Sequence, residues 1–470
     1  MTAIIDFMNN IFWGYILLYG LLAVGVFFTV RLGFLQFRHF GEMVRSVLGA
    51  RQSDQHGISP FQALCTSLAS RIGTGNIAGV AVALYLGGAG SIFWMWMVAL
   101  VGMATGYAES TLAQLYKIED GRGQYRGGPA FYIAKGLNAP WAGAIFSISL
   151  ILSFGLIFNA VQANSIADAM QSAFGVPKMW AGLLIALFAG VVIFGGLRSI
   201  VRFAEYVVPV MAGLYVLMAL YVLAINLTEV PAAFMSIIRG AFGLKEAAGG
   251  VAGSITAAML NGIKRGLFSN EAGMGSAPNV AATATPAPHH PSSQGLVQAS
   301  GVFIDTLVVC TATAIMILLS GVLEPGSGVT GIQLTQQALT VHIGAAGNYF
   351  IAIAILFFAF TSIVANYSYA ENALTYLKLD NKLGILVLRI AALGMVLWGA
   401  REAVLTVFNA ADASMGLMAT INLIAIVLLS GTVSKLTKDY FTQRQQGQVP
   451  TFKSADYPEL DKKIDSNIWK

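Results

Sequence analysis

Charge is scarce in this sequence. Of 470 residues, only 10% are Asp, Glu, Lys or Arg, against roughly 25% in an average soluble domain, and the mean hydropathy is +0.71. A chain this poor in charge cannot cover a water-facing surface, which excludes a soluble globular protein. Cysteine is nearly absent: Cys65 and Cys310 both fall inside apolar runs, so a disulfide framework is excluded and both read as small core residues. Histidine is equally thin. His289 and His290 stand as a pair in the Pro-rich loop from Thr285 to Pro291, with no Cys or Glu at ligand spacing. The pair reads as part of a solvated cytoplasmic loop. No phosphate-binding loop, nucleic-acid patch or nucleophile–base pair is present in the pattern. An enzyme, a cofactor and a metal centre built on these residues are therefore not expected.

Apolar runs and glycine are what the chain has in excess. Hydrophobic residues make up 56% and glycine supplies 51 positions, which suits helices packing closely in a lipid bilayer. Runs of spanning length fall near residues 11–30, 60–87, 91–116, 142–173, 179–197, 203–227, 252–286, 296–323, 347–377, 383–400 and 404–434. They predict an all-α membrane protein of about eleven transmembrane helices. The first run, Ile11 to Val30, is long for a signal-peptide core and is preceded by Asp6 and no basic residue, so it reads as a retained helix.

With the N-terminus outside, most loop cations, among them Arg31, Arg51, Lys117, Arg126, Lys378 and Lys382, lie in the cytoplasm with the basic tail. Only Lys178, Arg239, Lys245 and Arg401 are left outside. The positive-inside rule selects this orientation in a bacterial inner membrane. The resulting organisation is an extra helix over 1–31, a cytoplasmic loop over 32–59 and a five-helix unit over 60–227. An external loop over 228–251, a second five-helix unit over 252–434 and a cytoplasmic tail over 435–470 follow. The tail is expected to be solvated and partly disordered.

Two runs are interrupted. Ile72-Gly73-Thr74-Gly75-Asn76 breaks the second run, and Phe268-Ser269-Asn270-Glu271-Ala272-Gly273-Met274-Gly275-Ser276 breaks the seventh, with Pro278 just behind. Backbone at mid-membrane depth can leave the helical ladder only where protein or a cavity satisfies it. Paired broken helices at corresponding positions of two halves point to a transporter's binding site. One leading helix and two blocks of five place each break in the first helix of its block. An odd number of helices per block inverts the second block relative to the first.

The breaks carry matching chemistry. Free N–H groups at the helix start near Gly75 and Asn76 suit a carboxylate, while free carbonyls near Phe268 suit an ammonium group or a cation. Hydroxyls of Thr361 and Ser362, facing carbonyls of Ala69 and Ile72, could hold sodium, or could simply bond a carbonyl one turn back. Arg71 and Glu271 abut the two breaks; they form either a gate or coupling pair or two locally satisfied groups. Gln162 and Asn366 are buried-looking amides that could touch a ligand or join helices. Glu109, Lys264, Arg265, Asp305 and Glu371 lie nearer helix ends or cavities.

The motifs Gly73-Thr74-Gly75-Asn76-Ile77-Ala78-Gly79, Gly87-Gly88-Ala89-Gly90-Ser91-Ile92-Phe93-Trp94-Met95-Trp96 and Arg265 through Ser276 closely resemble the alanine or glycine:cation symporter family, from Phe12 to about Leu436. The resemblance implies the leucine-transporter type of five-plus-five inverted repeat with one extra N-terminal helix. It also implies sodium or proton coupling. Matched residue by residue, it puts substrate contacts at Thr74, Gly75, Asn76, Gln162, Phe268 and Ser269, and sodium on Ala69, Ile72, Thr361 and Ser362. Two departures stand out: Asn366 where many members carry Trp, and Arg71 where a small residue precedes the break. They make the pocket more polar and keep Asn366 among the substrate-binding candidates.

The expected function is import of a small neutral amino acid, alanine or glycine or else serine or D-alanine, with sodium. The alternatives are a proton-coupled or exchange-mode permease and, more remotely, a membrane amino-acid sensor, which an added cytosolic signalling domain would distinguish.

Overall fold

The computed structural model describes residues 2–49, 53–121, 123–195, 197–243, 251–324 and 327–470. Among them, eight helices are long and apolar enough to cross a membrane. These are α1 (Ala3–Arg31), α4 (Gly90–Leu115), α5 (Pro140–Phe174), α7 (Ser199–Ile225), α10 (Pro291–Ser320), α11 (Ala345–Tyr376), α12 (Lys382–Arg401) and α13 (Val404–Leu428). Shorter apolar helices are α3 (Gly75–Gly87), α6 (Lys178–Phe194) and α8 (Val230–Ala241). To these add α2 (Pro60–Arg71), α9 (Val251–Asn270) and α14 (Ser430–Gln445). The α8 helix lies within the stretch 228–251 that the hydropathy reading leaves as an external loop.

Local chemistry sets the helix ends. Proline occupies the first turn of α2, α5 and α10, where its missing N–H costs nothing. At the start of α2, Ser59 Oγ accepts from the Gln62 N–H at 3.1 Å while Gln62 Oε1 accepts from the Ser59 N–H at 3.1 Å, a reciprocal cap. Helices α5 and α10 stop at Gly175 and Gly321, whose φ angles of 67° and 72° are left-handed.

Both interrupted runs are broken in the structure, and the breaks position the site. Helix α2 ends at Arg71, Ile72 turns out with ψ 87°, and α3 resumes at Gly75. Helix α9 continues to Asn270, so Phe268, Ser269 and Asn270 are helical rather than part of the second break. The chain turns only at Glu271 (φ 59°), followed by Gly273 (φ 91°) and Gly275 (φ 81°), before the single turn Pro278–Ala281. The reason is conformational: nothing before Glu271 needs a left-handed torsion, and the two glycines supply the next ones at no steric cost. Helix α4 packs on α9 and α10, and α5 packs on α11 and α12, around this central seam.

The tail corrects the sequence reading. Instead of a solvated extension, α14 and the segment after it fold back on the bundle end read as cytoplasmic. Phe452 and Trp469 are fully buried. The Phe452 N–H donates to the His289 carbonyl at 2.9 Å, and Trp469 Nε1 donates to the Leu115 carbonyl at 3.2 Å. His290 is likewise buried rather than solvated: it lies 3.1 Å from Asp439 and accepts the Ser292 N–H at 3.0 Å. Burial holds its pKa below the usual histidine value. Widely spaced apolar residues, Phe452, Leu460, Ile464 and Trp469, anchor this segment.

Candidate functional site

The two breaks meet. A Cβ on Gly75 would lie 3.0 Å from Ser269 Cα and 3.1 Å from Phe268 Cδ1, so the start of α3 sits in van der Waals contact with the end of α9. A Cβ on Gly73 would run into Ser362 Oγ and Gln162 Oε1. Glycine at 73 and 75 is therefore a condition of the close approach. Phe268 stacks on Phe158 with ring centroids 4.6 Å apart, and on its other side meets Phe408 at 5.3 Å, which fixes the ring beside Gly75.

The free N–H groups of the first break are partly engaged. The Thr74 N–H donates to Gln162 Oε1 at 2.9 Å, and the Gly73 N–H donates to Asn76 Oδ1 at 3.0 Å. Gln162 thus places a carbonyl-type oxygen where the helix start favours an anion. Thr74 Oγ1 is buried without a hydrogen-bond partner among the described residues. An unmet buried hydroxyl costs about 1–3 kcal/mol, and a polar ligand arriving at this break would recover it.

Asp305 on α10 joins both breaks, a role that sequence reasoning did not give it. It is fully buried. Its carboxylate accepts from Asn76 Nδ2 at 2.7 Å, Ser269 Oγ at 2.8 Å and Thr306 Oγ1 at 2.7 Å. The available signal was a lone acid inside an apolar run.

The hydroxyl pair divides. Ser362 Oγ donates to the Ala69 carbonyl at 2.8 Å and also lies 3.0 Å from the Phe358 carbonyl of its own helix. Thr361 Oγ1 donates to the Phe358 carbonyl at 2.8 Å. Ser362 therefore reaches across to α2, and Thr361 bonds within α11. All four sodium candidates, Ala69, Ile72, Thr361 and Ser362, are buried.

Arg71 and Glu271 are both buried but form no ion pair with each other among the described residues. Arg71 Nη1 donates to the Gln298 carbonyl at 3.3 Å. Glu271 is held by hydroxyls: Ser70 Oγ lies 2.5 Å from Oε1, and Ser276 Oγ donates to Oε2 at 2.5 Å. Asn366 Oδ1 lies 2.6 Å from the same Ser70 hydroxyl. Lower in α9, Arg265 pairs with Asp412, and Lys264 lies 3.6 Å from that carboxylate.

At the cytoplasmic-reading end the broken helices are closed against each other. The Ile58 N–H donates to the Thr283 carbonyl at 3.0 Å, and the Thr285 N–H donates to the Ile58 carbonyl at 2.9 Å. Lys117 lies beneath this seam, completely buried. Its Nζ donates to the Ala284 carbonyl at 2.9 Å and sits 3.9 Å over the Tyr125 ring and 5.3 Å from the Trp469 ring. Burial, opposed by the Asp54 charge, brings its pKa down to about 7.

Helices broken inside the bundle, meeting in a buried polar seam that is closed at one end, fit a multi-pass membrane transporter. The comparisons specify which. Residues 1–454 match the model of the sodium:alanine symporter family, so the chain belongs to that family. It is 48% identical to the amino-acid carrier protein AlsT of Bacillus subtilis, over 98% of this chain and 96% of that one. It is 47% identical to the Bacillus subtilis protein named "Probable sodium/glutamine symporter GlnT", over 96% and 93%. Identity to the sodium/alanine symporter AgcS of Methanococcus maripaludis is 40%, over 93% and 97%. Among solved structures, the manganese transporter of Eremococcus coleocola shares the fold, with a TM-score of 0.52 at 14% identity over 86% of this chain and 90% of that one.

Proposed function

We propose that this chain is a sodium-coupled symporter that imports a small neutral amino acid of the alanine or glycine class. The observation that carries this reading is the contact of Gly75 with Ser269 and Phe268. It sets an anion-attracting helix start against a cation-attracting helix end, the pairing that the two charges of a zwitterion require. Thr74, Gly75, Asn76, Gln162, Phe268, Ser269 and Asn366 form the substrate site in this reading. The amino acid's carboxylate takes the N–H groups of the first break and displaces Gln162 Oε1, and its ammonium group faces the carbonyl end of α9.

Sodium takes the carbonyls of Ala69 and Ile72 with the hydroxyls of Thr361 and Ser362. The existing Ser362–Ala69 bond supports this assignment because it brings ligand oxygens of two elements together. Counting the broken helix α2/α3, α6 and α9 with the eight long spans gives eleven crossings. They are ordered as one extra helix and two inverted blocks of five in a bacterial inner membrane, with the N-terminus outside and the tail inside. The name of AlsT supports an amino acid as substrate and that of AgcS supports alanine and sodium, while GlnT's name makes glutamine the competing substrate.

The test is uptake of labelled alanine, glycine and glutamine into proteoliposomes, with sodium and proton gradients imposed separately. Sodium-driven alanine or glycine uptake is the expected result. Uptake of glutamine alone would replace the substrate, and transport indifferent to sodium would remove the ion site.

A further inference from the structure

Hydrogen-bond donors and acceptors around Ser70 do not balance unless Glu271 contributes a hydrogen. The count begins at Asn159, whose Nδ2 donates to the Gly155 carbonyl at 3.0 Å. Turning that amide over would set oxygen against oxygen, so its orientation is fixed. Asn159 Oδ1 then accepts from Asn366 Nδ2 at 3.2 Å, which fixes Asn366 in turn and aims its Oδ1 at Ser70. Ser70 Oγ lies 2.6 Å from that oxygen and 2.5 Å from Glu271 Oε1. Each separation is a hydrogen-bond distance between oxygens and requires a hydrogen. Ser70 has one, and an amide oxygen has none. The Ser70 hydrogen goes to Asn366, and the hydrogen toward Glu271 must come from the carboxyl group.

We infer that Glu271 is a proton-binding site of this transporter, carrying its proton on Oε1 in this closed state and donating it to Ser70 Oγ. The other carboxyl oxygen, Oε2, accepts from Ser276 Oγ at 2.5 Å. The surrounding charges agree. Facing Glu271 are Arg71 on α2, Asp305 on α10 and the Tyr369 hydroxyl on α11, and Glu109 on α4 reaches the same turn through Asn422 and the Gly273 carbonyl. One guanidinium stands among three carboxyl groups, and it forms no ion pair with Glu271. A proton removes one surplus negative charge from a site that excludes water.

Loading also has a mechanical result. Ser70 belongs to the last turn of α2 and Glu271 is the first residue past α9, so the proton completes the bond that ties one break to the other. When the site opens to water, the carboxyl group can be hydrated and lose its proton to the aqueous phase. Closure and proton occupancy are thereby coupled. This inference rests on the transport reading for its role in the cycle, but not for the presence of the proton.

The test uses purified full-length protein and Glu271→Gln, whose amide can donate to Ser70 and accept from Ser276 with the same shape. In infrared spectra of the closed protein, wild type is expected to show a protonated-carboxyl C=O band that is missing from E271Q. In proteoliposomes, wild-type alanine exchange is expected to vary with pH and that of E271Q to be flat. An identical carboxyl band and an identical pH profile in the two proteins would overturn the inference. Should E271Q fail to fold, Ser70→Ala supplies the same reading: the band must shift when its acceptor is removed, and an unmoved band overturns the inference. Failure of the amino-acid reading would show separately, as wild-type protein that neither binds nor carries alanine while the infrared band persists.

Discussion

The Ser362 hydroxyl donates to the Ala69 carbonyl at 2.8 Å, bridging α11 to the last turn of α2 before its break. Removing that oxygen by Ser362→Ala leaves the proposed sodium site one ligand short. A loss of about 1.4 kcal/mol, within the usual worth of a bond to a charged group, corresponds to about a tenfold rise in the sodium concentration needed for half-maximal uptake. Thr361→Ala is expected to act in the same direction, and both variants are expected at wild-type abundance. Unchanged sodium dependence in both would make the pair ordinary helix packing.

Gly75 is a tight constraint on the substrate site. Even a Cβ there meets the Ser269 backbone at 3.0 Å, so Gly75→Leu is expected to abolish alanine binding measured by calorimetry. The residue lies at the start of a helix with ordinary right-handed neighbours, and the variant is expected to insert and remain monodisperse in detergent. Retained alanine binding would take Gly75 out of the site.

The clasp formed by the tail is expected to tighten with rising pH. Lys117 has a pKa of about 7 while packed, against 10.5 when free. Between these values the released state binds more protons than the packed one, so the packed state gains stability as pH rises from about 7 to 10.5 and is weakest below 7. Tyr125, His289 and Asp54 are the titratable neighbours. Tryptic release of the tail, normalised to a reference substrate, should slow over that window in wild type and vary less in Lys117→Met. Parallel profiles would exclude Lys117 as the cause.

A reporter joined after Lys470 through a flexible linker is expected to read as cytoplasmic, because the tail packs on the loops richest in Lys and Arg. A periplasmic signal would overturn either the proposed orientation or the count of eleven crossings.

The breaks were legible because Gly73, Gly75, Gly273 and Gly275 stand beside polar side chains, Thr74, Asn76, Asn270 and Glu271, inside long apolar runs. The start of the second break was not, since Phe268 to Asn270 have side chains that fit a helix and only the torsion at Glu271 ends it. Ser70 and Asn159 were passed over for another reason. Each is an unremarked polar residue on a helix face, and Ser70 meets Asn366 across 296 positions of chain. The tail was misread because its composition is polar overall. Four separated apolar residues suffice when other loops provide the surface that receives them.

The two bonds that join Ile58 to Thr283 and Thr285 are made by backbone N–H and carbonyl groups, and one side chain adds to them, Thr285 Oγ1 accepting the Asp54 N–H at 3.2 Å. The backbone pair is indifferent to side-chain identity: alanine at 58 or 283 would leave both of its bonds in place, and only alanine at 285 would remove the added one. Only a residue lacking an N–H, proline at 58 or 285, would delete one of its bonds. A closure held by two backbone bonds is thus one that side-chain mutagenesis would largely overlook.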